Sequence, residues 1–287
     1  MPDFSQSDVP VYSTQPSPAR TVSRADYAPA EPERQEHYSE WDPRSAPGTY
    51  FLLAVNIAVF LWMIANGVSA KVPTVPQLIH FGANNADLVL NHGQWFRLLT
   101  AIFVHIGLLH IATNMWCLWN LGLLGEPLLG PLGLIATYIL TGVAGNLLSI
   151  AVDVAIAHST YRPLALAGGV GAGASGAVFG IAGILIVLLS NRKLPIPWVE
   201  LNRLRTSVIR FAGINLVIGG STLFFAALPH IDNSAHIGGF LCGLALGPGL
   251  VPCMTAGRTR YLERQKVVFF VAALALSLFG YWIVNFK

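Results

Sequence analysis

The chain has 287 residues, 54% hydrophobic and 11% charged, with a mean hydropathy of +0.58 and a formal net charge of +3. A soluble domain carries about 25% charged residues, so this composition excludes an ordinary soluble domain and points to a polytopic membrane protein. Residues 1–48 hold four basic and eight acidic residues, whereas residues 49–287 hold 13 basic and six acidic ones; the basic excess sits in short loops between apolar runs, where it sets orientation rather than binding nucleic acid.

Residues 1–48 form a polar tail rich in Pro, Ser, Glu and Gln. So few apolar side chains cannot offset the entropy of ordering, and a disordered segment is expected there. It has no apolar stretch of the signal-peptide kind. A crossing of the hydrocarbon core takes about 20 apolar residues. Seven stretches meet that need, at roughly 50–67, 98–124, 128–152, 164–190, 208–228, 234–253 and 267–286. The fold class expected is therefore all-α, a polytopic membrane helical bundle. Glu126 and Pro127 are expected to mark the turn between the second and third spans, with the carboxylate capping the third. Cys117, Cys242 and Cys253 all fall in or at the end of apolar runs, so neither a disulfide framework nor a CxxC site is expected.

The positive-inside rule orients the bundle. Arg192, Lys193, Arg203 and Arg205 follow the fourth span, and Arg258, Arg260, Arg264 and Lys266 follow the sixth. Both loops belong in the cytoplasm with the N-terminal tail. Seven crossings then place the C-terminus outside. The long loop at about 68–97, with Trp95 and Phe96, lies outside and partly in the interface.

A serine and a histidine stand out in this setting. Ser175 lies in Gly173-Ala174-Ser175-Gly176 on the fourth span, and His236 lies on the sixth. Polar groups are costly in lipid and mark candidate functional sites. Both spans run from outside to inside. Ser175 precedes Arg192 by 17 residues and His236 precedes Arg258 by 22, about 26 Å and 33 Å along a helix. Both side chains thus fall in the outer half of the bilayer, on parallel helices. The small-residue stripes Gly169, Gly173, Gly176, Gly180, Gly183 and Gly239, Gly243, Gly247 let such helices approach closely. A hydroxyl becomes a competent nucleophile when a neighbouring base takes its proton, and acyl transfer also needs donors aimed at the oxyanion. His110 and Asn114, four apart on one face of the second span, are candidates for that role.

Bland readings stand beside these. A serine in a glycine-rich span is most often a packing residue. An intramembrane histidine also serves as a proton relay or an interhelical hydrogen bond. His110 and Asn114 could be interhelical glue. His105 is expected to bond loop backbone, and Asp232 with Asn233 to cap the sixth span rather than complete a triad.

The set Trp95…Arg97, His105-x4-His110-x3-Asn114, Gly173-Ala174-Ser175-Gly176 and Ala235-His236-x2-Gly239-x3-Gly243 resembles the rhomboid family of intramembrane serine proteases. The resemblance covers about residues 50–255. It implies a rhomboid-like six-helix core at 49–255, followed by a basic loop and one extra C-terminal transmembrane helix at 256–287. It implies a Ser175–His236 dyad with His110, Asn114 and the Ser175 backbone N–H at the oxyanion. It further implies hydrolysis of peptide bonds in single-span membrane substrates, with no metal and no cofactor. Phe96 stands between Trp95 and Arg97, where family members often have the two adjacent, and Phe179 stands where a tyrosine is usual. Water must reach such a dyad, so a polar cavity opening outward is expected. Competing functions are a catalytically inactive rhomboid-like binding or escort factor and a histidine-based transporter, the latter disfavoured by the lack of carboxylates within the spans.

Overall fold

Prolines and glycines punctuate the bundle. Its structure, a computed structural model, describes residues 44–221, 232–251 and 257–286. Every described residue belongs to one compact unit, Ser39–Lys287. Of the tail expected to be disordered over 1–48, residues 1–43 lie outside the described residues, as do residues 222–228 of the fifth span, Cys253 and Lys287, whereas Pro47 and Gly48 already belong to the first helix.

Helix α1 (Pro47–Ala65) starts on a proline, and three short helices follow in the long loop: α2 (Val75–His80), α3 (Ala86–Leu90) and α4 (Arg97–Thr100). Thr74 and Gln77 form a capping box on α2, and Asn85 caps α3. Helix α5 (Leu108–Leu129) starts behind Gly107 (φ 88°) and ends at Gly130 (φ 75°), where Pro131 opens α6 (Pro131–Thr160). The short α7 (Leu164–Ala167) precedes α8 (Ser175–Leu188). Helices α9 (Trp198–Ser221), α10 (Asn233–Leu250) and α11 (Gly257–Phe286) complete the order. Among the described residues the only β-like pairing is an antiparallel bridge between Asn84 and Gly171.

Helix α8 is the axis of the bundle. Gly176 through Leu185 are all buried, and α5, α6, α9 and α10 pack on it. Its neighbours approach through glycines. A Cβ on Gly180 would fall 2.1 Å from the Thr141 side chain of α6, and one on Gly243 would fall 2.0 Å from the Gly180 carbonyl oxygen. The outer surface is apolar: Leu61, Trp116, Val217 and Phe270 are exposed on four different helices, as lipid-facing positions require. By length and composition, α1, α6 and α11 can each cross a membrane, and α8 is a shorter apolar helix. The second and fifth spans fall short of that description because α5 carries His110, Asn114, Asn120 and Glu126, and α9 carries Glu200, Arg203, Arg205 and Arg210.

Three expectations need correction. The second span begins at Leu108, not near residue 98, because Gly107 adopts a positive φ that ends the preceding turn. The fourth span is no continuous helix over 164–190. Its helix begins at Ser175, and residues 168–174 form a loop with Gly173 at φ 129°. Glu126 lies inside α5 and does not cap α6. Its carboxylate accepts from Gly48 N (2.8 Å), Thr49 N (2.7 Å) and Thr49 Oγ1 (2.6 Å), and so caps α1. Those are orphan amides of a helix N-terminus, and nothing near Glu126 in sequence announces a partner 78 residues away.

Candidate active site

Ser175 is the first residue of α8 and His236 lies in the first turn of α10. The two helices run parallel and touch through bare backbone. A Cβ on Gly239 would fall 1.9 Å from the Gly176 carbonyl oxygen, and one on Gly176 would fall 3.2 Å from the Ala235 carbonyl oxygen. The residue after Ser175 is therefore against the residue before His236. The Phe179 ring, one turn along α8 from Ser175, stacks on the His236 imidazole with centroids 4.5 Å apart and planes 12° apart. No hydrogen bond joins Ser175 to His236 among the described residues, and His236 Nδ1 is buried without a partner.

The loop in front of Ser175 is held on several sides. Gly171 N donates to Asn84 O (3.0 Å), Asn84 N donates to Gly171 O (2.7 Å), and Gly173 N donates to Ala101 O (2.9 Å). Asn85 Nδ2 adds a bond to Gly169 O (3.3 Å). Irregular backbone inside a membrane bundle survives only where the protein satisfies it, and the long segment between α1 and α5 does so here. Gly173 is required twice. Its φ of 129° suits only glycine, and a Cβ there would lie 2.6 Å from His110 Cε1 and 3.0 Å from His110 Nε2.

His110 stands in the first turn of α5, and Ile106 N donates to its Nδ1 (3.2 Å). An Nδ1 that accepts leaves the ring proton on Nε2, on the side facing Gly173. Asn114 is buried one turn below, with Nδ2 donating to His110 O (2.9 Å) and one amide hydrogen left over. His105 bonds backbone as expected, through Nδ1 to Phe103 O (3.1 Å), and its ring lies 5.4 Å from that of His110. Asp232 has the capping geometry: Oδ1 accepts from Ala235 N (3.1 Å) and Oδ2 from Ser149 Oγ.

Ser175 and His236 thus lie in the first turns of α8 and α10, and the His110–Asn114 pair lies in the first two turns of α5, with α5 and α10 both packed on α8. Beside His236 a cavity of about 200 Å³ opens between α8, α9 and α10, lined by Phe179, Ile209, Leu216, Ile237 and Phe240. Apart from the imidazole its lining is apolar.

Sequence reasoning missed the supports of the site: Asn84, Asn85, Ala101 and Ser149. Their contacts are tertiary and mostly backbone, so no local pattern marks them. It also left Arg97 without a role. That side chain is buried, with Nε donating to Gln94 Oε1 (2.7 Å) and Nη1 to Ile79 O (2.7 Å) and Ala83 O (2.9 Å). Burial lowers its pKa, from an ordinary value so high that the charge persists. Arg97 ties together the loop that carries Asn84.

A family model described as the Rhomboid domain matches residues 92–253. Among curated proteins, Rhomboid protease GluP of Bacillus subtilis (strain 168) is 36% identical over 196 residues, 68% of this chain and 33% of that protein. RHOMBOID-like protein 5 of Arabidopsis thaliana is 34% identical over 176 residues, 61% of this chain and 50% of that protein. Rhomboid-like protease 2 of Toxoplasma gondii is 30% identical over 200 residues, 67% of this chain and 62% of that protein. The chain therefore spans between a third and three fifths of these relatives' lengths.

Proposed function

Because this integral membrane protein belongs to the rhomboid family, we propose that it is an intramembrane serine endopeptidase acting on single-span membrane proteins. The observation that carries the reading is the glycine-faced contact of α8 with α10, which sets Ser175 and His236 on adjoining first turns with the imidazole stacked on Phe179.

In this reading Ser175 Oγ attacks the scissile carbonyl carbon while His236 takes the hydroxyl proton. The oxyanion of the tetrahedral intermediate receives hydrogen bonds from His110 Nε2–H, the remaining Asn114 amide hydrogen and the Ser175 backbone N–H. That amide starts a helix, so it has no intrahelical acceptor. Collapse of the intermediate breaks the C–N bond as His236 returns the proton to the leaving amine. Water, activated by the same imidazole, then hydrolyses the acyl-enzyme. Apart from that water and the substrate, every group in the scheme belongs to the chain.

The substrate class follows from the setting. A helical peptide bond is shielded by its own hydrogen bonds, so favoured substrates carry Gly or Pro near the scissile bond, where a helix unwinds at least cost. The orientation proposed puts the tail in the cytoplasm, the C-terminus outside and the centre toward the outer face.

One observation favours the second reading, a non-catalytic binding or escort factor: Ser175 and His236 are not hydrogen-bonded in this arrangement. Catalytic hydrogen bonds are often loose until substrate draws them tight, and all the proposed groups are present. Cleavage of a reporter membrane span separates the two. Ser175→Ala abolishes cleavage while leaving expression and folding intact; full activity in that variant eliminates the nucleophile.

A further inference from the structure

Helices α5 and α10 carry the proposed oxyanion pair and base near their N-terminal ends, and each packs on α8. The α8–α10 contact is glycine against glycine carbonyl, at Gly239 on Gly176 and Gly243 on Gly180. Such a face fixes how closely two helices approach. It has few side-chain knobs to fix their axial register, because interlocking side chains are what normally set it. Alongside its packing on α6, contacts at the helix ends hold α10 against sliding on α8. At the His236 end the contact is the Asp232 cap with its bond from Ser149.

At the opposite end it is α11. The Tyr261 hydroxyl lies 2.9 Å from Leu128 O at the end of α5 and 3.0 Å from Leu250 O at the end of α10. One phenolic hydrogen is thus shared between last-turn carbonyls of α5 and α10. Two neighbours extend the latch. Gln265 Nε2 donates to Leu129 O (2.8 Å) on α5, and Arg264 donates to Val251 O beyond α10. All four acceptors are C-terminal carbonyls with no intrahelical donor. Gln265 is buried, and Gly133 of α6 leaves it room: a Cβ there would lie 2.8 Å from Gln265 Nε2.

We propose that Tyr261 is a positioning residue for the Ser175–His236 centre, its hydroxyl joining the far ends of α5 and α10 so that α11 sets the register of the base relative to the oxyanion donors. The latch acts over 14 residues of α10 between His236 and Leu250, about 21 Å along a helix. Rigid secondary elements are among the carriers of coupling over such distances. This inference rests on the proposed serine protease function. It assigns α11 a role beyond membrane anchoring.

The test is saturation kinetics of fluorophosphonate labelling in the full-length protein, with Tyr261→Phe compared with Tyr281→Phe on the exposed face of the same helix. Tyr261→Phe keeps the ring and removes only the hydroxyl. The expected result is a fall of about fivefold in the maximal labelling rate, the factor that losing one hydrogen bond supports. Half-saturation stays unchanged, and Tyr281→Phe behaves as wild type. A purely structural role would reduce the fraction of molecules labelled and leave the rate constant of the folded ones unchanged; that outcome overturns the proposal, as does an equal fall in both variants. If wild type itself fails to label, the protease reading falls and the positioning role falls with it. Labelled wild type with an unaltered Tyr261→Phe rate sinks the positioning role alone.

Discussion

Gly239→Ala places a methyl group where the structure has no room for one. Its Cβ would lie 1.9 Å from Gly176 O and 2.7 Å from Gly176 C, both backbone atoms that cannot rotate aside. Ordinary contact begins at 3.4 Å, so α8 and α10 must separate by about 1.5 Å at this level in a close-packed interior. Overpacking of this kind costs about 1–3 kcal/mol, which leaves a folded protein with a lowered melting temperature. The larger effect falls on chemistry. Position 239 is one turn from His236, and Gly176 adjoins Ser175, so the separation opens between the proposed base and nucleophile. A misplacement of about 1 Å can cost 100-fold in rate. The expected outcome is a fall of about 100-fold in kcat for reporter cleavage in detergent or vesicles, with KM little changed. Gly213→Ala on α9 is the stability control. No heavy atom lies within 4 Å of a Cβ there, so the variant gains up to about 1 kcal/mol from helix propensity. Wild-type kcat and melting temperature in Gly239→Ala would refute the claim that α8 and α10 meet backbone to backbone beside the site.

Three further outcomes are expected. Glu126→Ala leaves Gly48 N, Thr49 N and Thr49 Oγ1 without their acceptor, costing about 2–4 kcal/mol in thermal unfolding, and Glu126→Gln costs less because one acceptor oxygen remains. Arg97→Ala frees the loop carbonyls of Ile79 and Ala83, so limited proteolysis cuts residues 79–97 faster; Arg97→Lys rescues little, since a point charge cannot reproduce the fork. Phe179→Ala removes the ring stacked on His236 and lowers kcat about 3- to 10-fold by the usual worth of such a contact, whereas Phe179→Tyr stays near wild type because the ring remains.

The fold and the proposed centre were legible to different depths. Composition and apolar run length give the helical membrane class, and the serine and histidine stand out because each is a polar group in an otherwise apolar run. Their parallel placement followed from charge alone. The start of α8 at Ser175 was hidden because Leu164–Ala167 and the glycines after it are as apolar as a helix would be. What breaks the helix is Gly173, and what holds the loop is backbone bonding to Asn84 and Ala101 in a distant segment. The same holds for Glu126. A carboxylate beside a proline reads as a local cap, and its true partner is the start of α1. The latch at Tyr261 was equally silent, because a tyrosine in a basic loop also reads as an ordinary interfacial residue.

The most direct test of the proposed centre is fluorophosphonate labelling of the wild-type protein beside Ser175→Ala and His236→Ala, each shown to be folded by its melting temperature. Labelling of wild type, with loss in both variants, is the expected result. Equal labelling of Ser175→Ala and wild type, or none in a folded wild-type protein, would contradict the assignment of Ser175 as a nucleophile served by His236.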